Sequence, residues 1–220
     1  VPAYTYSDVP IDPAEARQVL VESGLLTIEQ YNALTAELRG IAFSMARIRD
    51  LAGLARIRAQ LVTALSEGWS AGDFIRWCRT EGHAWERAYS ELVFRNAVSG
   101  AYSRGRFVQM MTPAMARRFP VLFYDAVRDA RTTELCRNLD GKWWFRNKFP
   151  MRLWPPNHHA CRSVVRQMTA QQARMRSPQG GPQGGMVGDA PPAGWDGNSA
   201  ELWQTSLDNR ELLLRRAVGV

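Results

Sequence analysis

Two cysteines and two histidines fall close together in this chain and are its best candidates for chemistry. Cys136, His158, His159 and Cys161 share one short stretch, out of three cysteines and three histidines in 220 residues. Asp129, Arg131 and Thr132 lead into it, and Arg162 closes it. Three chemistries follow from these residue types. Cys136, His158 and Cys161 are soft or borderline ligands, and His-x-x-Cys is a workable local spacing for zinc. Asp129 or His159 would have to supply a fourth ligand, and adjacent histidines rarely aim at one ion. Cys136 and Cys161 could instead form a disulfide, which a reducing compartment disfavours. Asp129, Arg131 and His158 hold the parts of an orienting carboxylate, a phosphate clamp and a general base, as a nuclease would need. Against catalysis, the sequence has no Gly-rich phosphate loop, no carboxylate cluster for magnesium and no Ser/His/Asp ordering. The expectation is a packed, hydrogen-bonded cluster with no metal, no cofactor and no catalytic residue. In it Asp129 pairs with Arg131 or Arg162, and His158 ties the Pro155-Pro156 loop to a sheet.

The stretch consists of two tight blocks. The first runs from Asp129 through Arg131, Thr132 and Cys136 to Leu139 and Gly141. The second reads Pro155-Pro156-Asn157-His158-His159-Ala160-Cys161-Arg162-Ser163. These blocks resemble the head-morphogenesis domain of the phage Mu F-like minor head proteins. In that family an Asp-x-Arg-Thr block leads to a His or Cys and then Leu-x-Gly, and a Pro-Pro-Asn block ends in Cys-Arg-Cys. The chain departs at Ser163, where the family has its second cysteine, which removes a ligand that a zinc site would use. Upstream blocks extend the resemblance over roughly 45–170: Ala64 to Gly68, Phe94 to Ala97, Ala101 to Arg106 and Phe123 to Val127. The resemblance implies a minor structural protein of a tailed-phage head and not an enzyme. It would be an adaptor in head morphogenesis, contacting portal protein or major capsid protein and accompanying packaged DNA. Its place would be the virion head, after assembly in the host cytoplasm. Similar domains also occur joined to toxin modules. A nucleic-acid-processing enzyme using Asp129, Arg131 and His158 is therefore the alternative.

Charge points the same way. The net charge is +7, yet residues 1–116 carry 12 Lys+Arg against 12 Asp+Glu. Residues 117–176 carry 13 against 4, and residues 177–220 carry 3 against 5. The excess positive charge thus falls on the segment with the two blocks, the footprint of a module facing a polyanion or an acidic partner. Arg146, Lys148 and Arg152 interleave with Trp144, Phe149 and Trp154, a mixture suited to phosphate contact plus base stacking, or to a protein interface. Arg166, Trp195 and Trp203 join them as candidate DNA- or partner-binding residues. No apolar run approaches a membrane span, and the odd cysteine count shows no disulfide scaffold.

The elements that would position these residues give an α+β chain, a mainly helical body followed by a small antiparallel-sheet lobe and an extended C-terminal tail. Residues 1–50 read as an arm and a helical pair. Asp12-Pro13 opens the first helix, and Thr27 with Gln30 opens a second that runs to about Met45 on Tyr31, Leu34, Leu38 and Ile41. Residues 51–116 read as a helical body: Leu51 to Glu67, Ala71 to Thr80, and a long helix to Met111 with a stripe of Ala88, Leu92, Val98, Tyr102 and Phe107. Residues 117–170 read as the basic lobe, with strands at Val121–Val127, Lys142–Phe145 and Cys161–Val165. A helical turn capped by Thr132 or Thr133 lies among them. Residues 171–220 read as a Pro/Gly-rich linker and a docking helix opened by Asp208 and Glu211, reaching a neighbouring subunit or the chain's own body.

Overall fold

The computed structural model describes residues 14–178, 191, 195 and 201–219. The arm before residue 14, with Asp12-Pro13, and most of the Pro/Gly linker lie outside them. The chain opens with α1 (Ala14–Glu22) and then β1 (Gly24–Leu25). The Thr27/Gln30 capping box forms as the sequence predicts, but the helix it starts is short. α2 (Ile28–Ala33) stops at Leu34, Thr35 caps a separate α3 (Ala36–Arg39), and β2 (Ala42–Phe43) pairs in parallel with β1. The single helix expected to Met45 is thus two short ones and a strand. The hydroxyl of Thr35 accepts from Leu38 N, and this local cap competes with continuation of the helix.

α4 (Leu51–Glu67) follows its periodicity closely. Asp50 caps it by accepting from Gly53 N, and Gly68 ends it in the left-handed region. Its stripe of Leu54, Ile57, Leu61 and Leu65 is buried. α5 (Ala71–Thr80) opens on a Ser70/Asp73 capping box. α6 (Arg87–Met110) is the long helix, but its buried face differs from the expected stripe. Ala88 is exposed, while Ser90, Phe94, Gly100, Ala101, Gly105, Phe107 and Met110 are buried. Small residues on that face let α1 lie directly on it: a Cβ at Gly105 would come within 3.1 Å of Ala16 N. α6 serves two hydrophobic cores. Phe94 and Ala101 join the core of the helical body, whereas Phe107 and Met110 join the core of the lobe.

α7 (Pro113–Arg118) leads into the lobe, a three-stranded antiparallel sheet. Its central strand is β3 (Val121–Asp125), flanked by β4 (Trp143–Phe145) and β5 (Val164–Met168), with α8 (Glu134–Leu139) between β3 and β4. Alternation along β3 sends Leu122 and Tyr124 into the main lobe core and Val121 and Phe123 to the other face. That other face is covered by α9 (Ala170–Arg176), a helix the sequence reading places inside the linker region. α10 (Leu207–Val218) is capped by Ser206 and not by Asp208.

The C-terminal segment packs back on the chain's own body. Trp203 is buried beside α1 and α4 residues, and its indole N–H donates to Gly40 O at 3.2 Å. Leu214 fills the space above Gly24. Trp203 is therefore a core residue, and the candidate partner-binding role is corrected: its ring has no free face to offer. Residues 14–50 likewise supply Ala16, Val19, Leu20, Leu34 and Ile41 to the same core as α4 and α6. Among the described residues no helix is long and apolar enough to cross a membrane.

Candidate functional site

Cys136, His158 and Cys161 converge between α8, the proline loop and the start of β5. Thr133 caps α8, accepting from Cys136 N, and this turns the Cys136 thiol inward. Trp154 anchors the loop by donating to Ser103 O at 3.3 Å and Ser103 Oγ at 3.0 Å on α6. A cis Pro155-Pro156 bond follows. Asn157 is fully buried and holds the loop from inside, its amide donating to Tyr124 Oη at 2.9 Å and Leu153 O at 3.1 Å. Ala160 adopts a left-handed φ of 53°, a conformation that costs an alanine about 1 kcal/mol. Asn96 on α6 holds it there by accepting from Ala160 N at 2.7 Å.

His158 Nε2 lies 3.2 Å from Cys136 Sγ and 3.1 Å from Thr133 Oγ1. Its Nδ1 lies 2.8 Å from the His159 carbonyl, which can only accept, so Nδ1 carries the proton. The two sulfurs are 3.9 Å apart and unbonded. Cys161 is lowered to about 6, chiefly because the Cys136 thiol donates to it, and Cys136 is pushed up to about 12 as the proton-keeping partner. Ser163 is buried close to both sulfurs. The Tyr124 hydroxyl is 3.4 Å from Cys136 Sγ, and burial holds its phenol well above the usual range.

The remaining block residues form a second group next to this one. Asp129 takes a two-pronged contact from Arg162 at 2.5 Å on each oxygen, and also accepts from Arg131 N. Thr132 is buried and donates to Val127 O. Gly141, at φ 79°, closes the turn into β4. The Arg162 guanidinium holds the Asp129 carboxyl well below the usual carboxylate range. Since its folded pKa is depressed, the stability it lends is complete above the unfolded value of about 4 and is lost as pH falls from there through the folded value. Asp129→Asn should flatten that acid limb in a series of thermal melts below about pH 4; an unchanged acid limb would show the pair to be inert.

Sequence reasoning and structure part company at several positions. Asp129 bonds Arg162 while His158 bonds Thr133, Cys136 and its own chain, so neither orients the other and the nuclease-like trio is not assembled. His158 ties the proline loop to α8, not to the sheet. Trp144, Phe149 and Trp154 are core residues, unable to stack on bases. Arg146 donates to Met110 O at 2.9 Å and Phe119 O at 2.7 Å, fastening the ends of α6 and α7 instead of facing a partner. Arg166 is paired with Asp125, and Arg152 is half-buried. Lys148 is exposed, and Trp195 packs edge-on against His159 at 5.0 Å. Thr133, expected as one of two candidate caps, and Ser163, expected as the departure from a Cys-Arg-Cys ending, both join the site. Tyr124 and Asn96 complete it from β3 and α6.

The family model for Phage Mu protein F like protein matches residues 55–166, over half of the chain and all of the site just described. The chain belongs to the Mu F-like family of phage head proteins. No curated protein and no solved structure matches it. The role of this Mu F-like chain is in phage head morphogenesis. The Mu F-like match begins inside α4 and ends in β5. It spans both cores along α6, so the family's unit includes part of the helical body as well as the lobe.

Proposed function

We propose that this chain is a non-enzymatic adaptor in the phage head, seated on portal or capsid subunits, with the basic end of its lobe turned toward packaged DNA. The observation that carries this is how the lobe uses its charges. Asp125 is paired with Arg166 and Arg176, Asp129 with Arg162, and Asp140 with Arg128. Arg117, Arg118 and Lys148 are exposed and have no ion pair among the described residues. They share one end of the sheet. α7 runs directly into β3 at Val121, and Lys148 follows β4 just after Phe145, the register partner of Val121. Un-neutralised cations grouped this way attract phosphate without reading sequence. With Trp144, Phe149 and Trp154 buried, these cations contact the phosphate backbone, and Phe145 is the exposed lobe ring at this end. Leu212 and Leu213, exposed and adjacent on α10, offer a neighbouring subunit a small apolar contact.

Duplex DNA retention measured across a salt series tests the DNA-facing part. Arg117→Glu combined with Lys148→Glu should lower the salt slope by about two. An unchanged slope would assign this end to an acidic protein surface. For the adaptor role, assembled heads should contain the chain and lose it when the portal or shell contact is broken. Heads of normal form and content that lack the chain would end that reading.

A further inference from the structure

We infer that Cys136, His158 and Cys161 form a structural zinc site, with Ser163 beside the fourth coordination position. The sequence alone gives three ligands and no fourth; the geometry adds three observations. First, the sulfur, nitrogen and sulfur atoms all lie within 4.8 Å of one another. Zn–S bonds of about 2.3 Å at the tetrahedral angle place two thiolates about 3.8 Å apart, and a thiolate and imidazole nitrogen about 3.5 Å apart. The observed separations are 3.9 Å for Cys136–Cys161 and 3.2 Å for Cys136–His158, close to the edges of such a tetrahedron. A disulfide would need about 2.05 Å.

Second, the imidazole is already in the ligating tautomer. A metal-bound histidine characteristically gives its other N–H to a backbone carbonyl, which fixes the ring and leaves the facing nitrogen its lone pair. The His158 Nδ1 contact with His159 O does this, and it presents Nε2 to Cys136 Sγ. Third, the remaining side is lined by oxygen. The Tyr124 hydroxyl lies 3.4 Å from Cys136 Sγ, and Ser163 is buried two residues beyond Cys161 on the same side. Either the Ser163 hydroxyl or a water held by it and Tyr124 completes the coordination. Both cysteines are nearly closed to solvent, at 1% and 4% exposed. That suits a structural metal joining α8, the proline loop and β5. Binding Zn²⁺ leaves both sulfurs as thiolates, any remaining thiol proton going to solvent, and changes no oxidation state.

The test is zinc back-titration of chelator-stripped protein against a chromophoric chelator, with Co²⁺ as a spectroscopic reporter of thiolate ligation. The expected result is about one zinc per chain, a thiolate-to-cobalt charge-transfer band, and a raised melting temperature when metal is restored. Cys161→Ala and His158→Ala should lose retention and the band. Ser163→Cys, which supplies a third thiolate as the fourth ligand, should tighten retention at least about tenfold. If Cys161→Ala fails to fold, the wild type and Ser163→Cys decide, since both keep all three ligands. Failure of both to hold zinc overturns the site. So does undiminished zinc in folded Cys161→Ala, or complete Cys136–Cys161 disulfide formation in millimolar thiol.

Discussion

Trp203→Ala is expected to remove about 3–5 kcal/mol of folding free energy, one of the largest losses available to any single substitution in the chain. The indole is 6% exposed and packs in the core of the helical body. Its N–H donates to Gly40 O, and the Arg210 guanidinium lies over its ring at 4.3 Å. Arg210 is itself buried and pairs with Glu22 at the end of α1. Truncation therefore opens a cavity, unpartners a carbonyl and uncovers a buried ion pair together. Urea denaturation should show the midpoint falling with little change in slope. Removing everything after Thr169 should be worse, because Trp203 and Leu214 belong to the body's core. A folded, cooperative fragment ending at Thr169 would show that the tail docks elsewhere.

The second large effect is expected at Trp144. Its side chain is fully buried in the lobe core, with Phe149 edge-on at 5.1 Å. Trp144→Ala should cost about 3–5 kcal/mol, and Trp144→Phe markedly less, because most of the ring volume is kept. The pair separates two roles for the lobe aromatics. If they are core, DNA retention by folded Trp144→Phe matches wild type. If they stack on bases, retention falls while the thermal melt stays put. The first outcome is expected. Mutating Arg117 and Lys148 should give the opposite pattern, weakened retention with the melt unmoved.

What the sequence could reveal depends on how local the cause is. α4 and α5 are written in their own residues: Asp50 and the Ser70/Asp73 pair cap the starts, Gly68 the end of α4, and Leu54 to Leu65 mark its buried face. The break at Leu34–Thr35 is invisible to periodicity, because Leu34 and Ile41 remain buried on either side of it. The stripe on α6 is legible only in part: Phe107 is buried and Val98 and Tyr102 pack on the core, but Ala88 is exposed and the contact with α1 is made by glycine. Gly105 touches α1 by lacking a side chain, and a hydrophobic pattern gives that no weight. In the site, Cys136 and Cys161 were legible as residue types. Their meeting depends on Asn157 inside the loop and Asn96 across from it on α6, partners 33 and 64 positions away from the groups they hold. Arginine was the least legible residue. Arg146 and Lys148 look alike in a charge count, yet one fastens two helix ends and the other faces solvent.

α6 is one unbroken rod of 24 residues, about 36 Å long, with each end rooted in a different core. Neither half can swing, because the hinge would have to bend a helix clamped on both sides. Leu214 against Gly24, α1 against α6 and Trp154 on Ser103 make a continuous run of contacts from α10 to the proline loop. The helical body and the lobe therefore move as one stiff piece, held at a fixed spacing by α6.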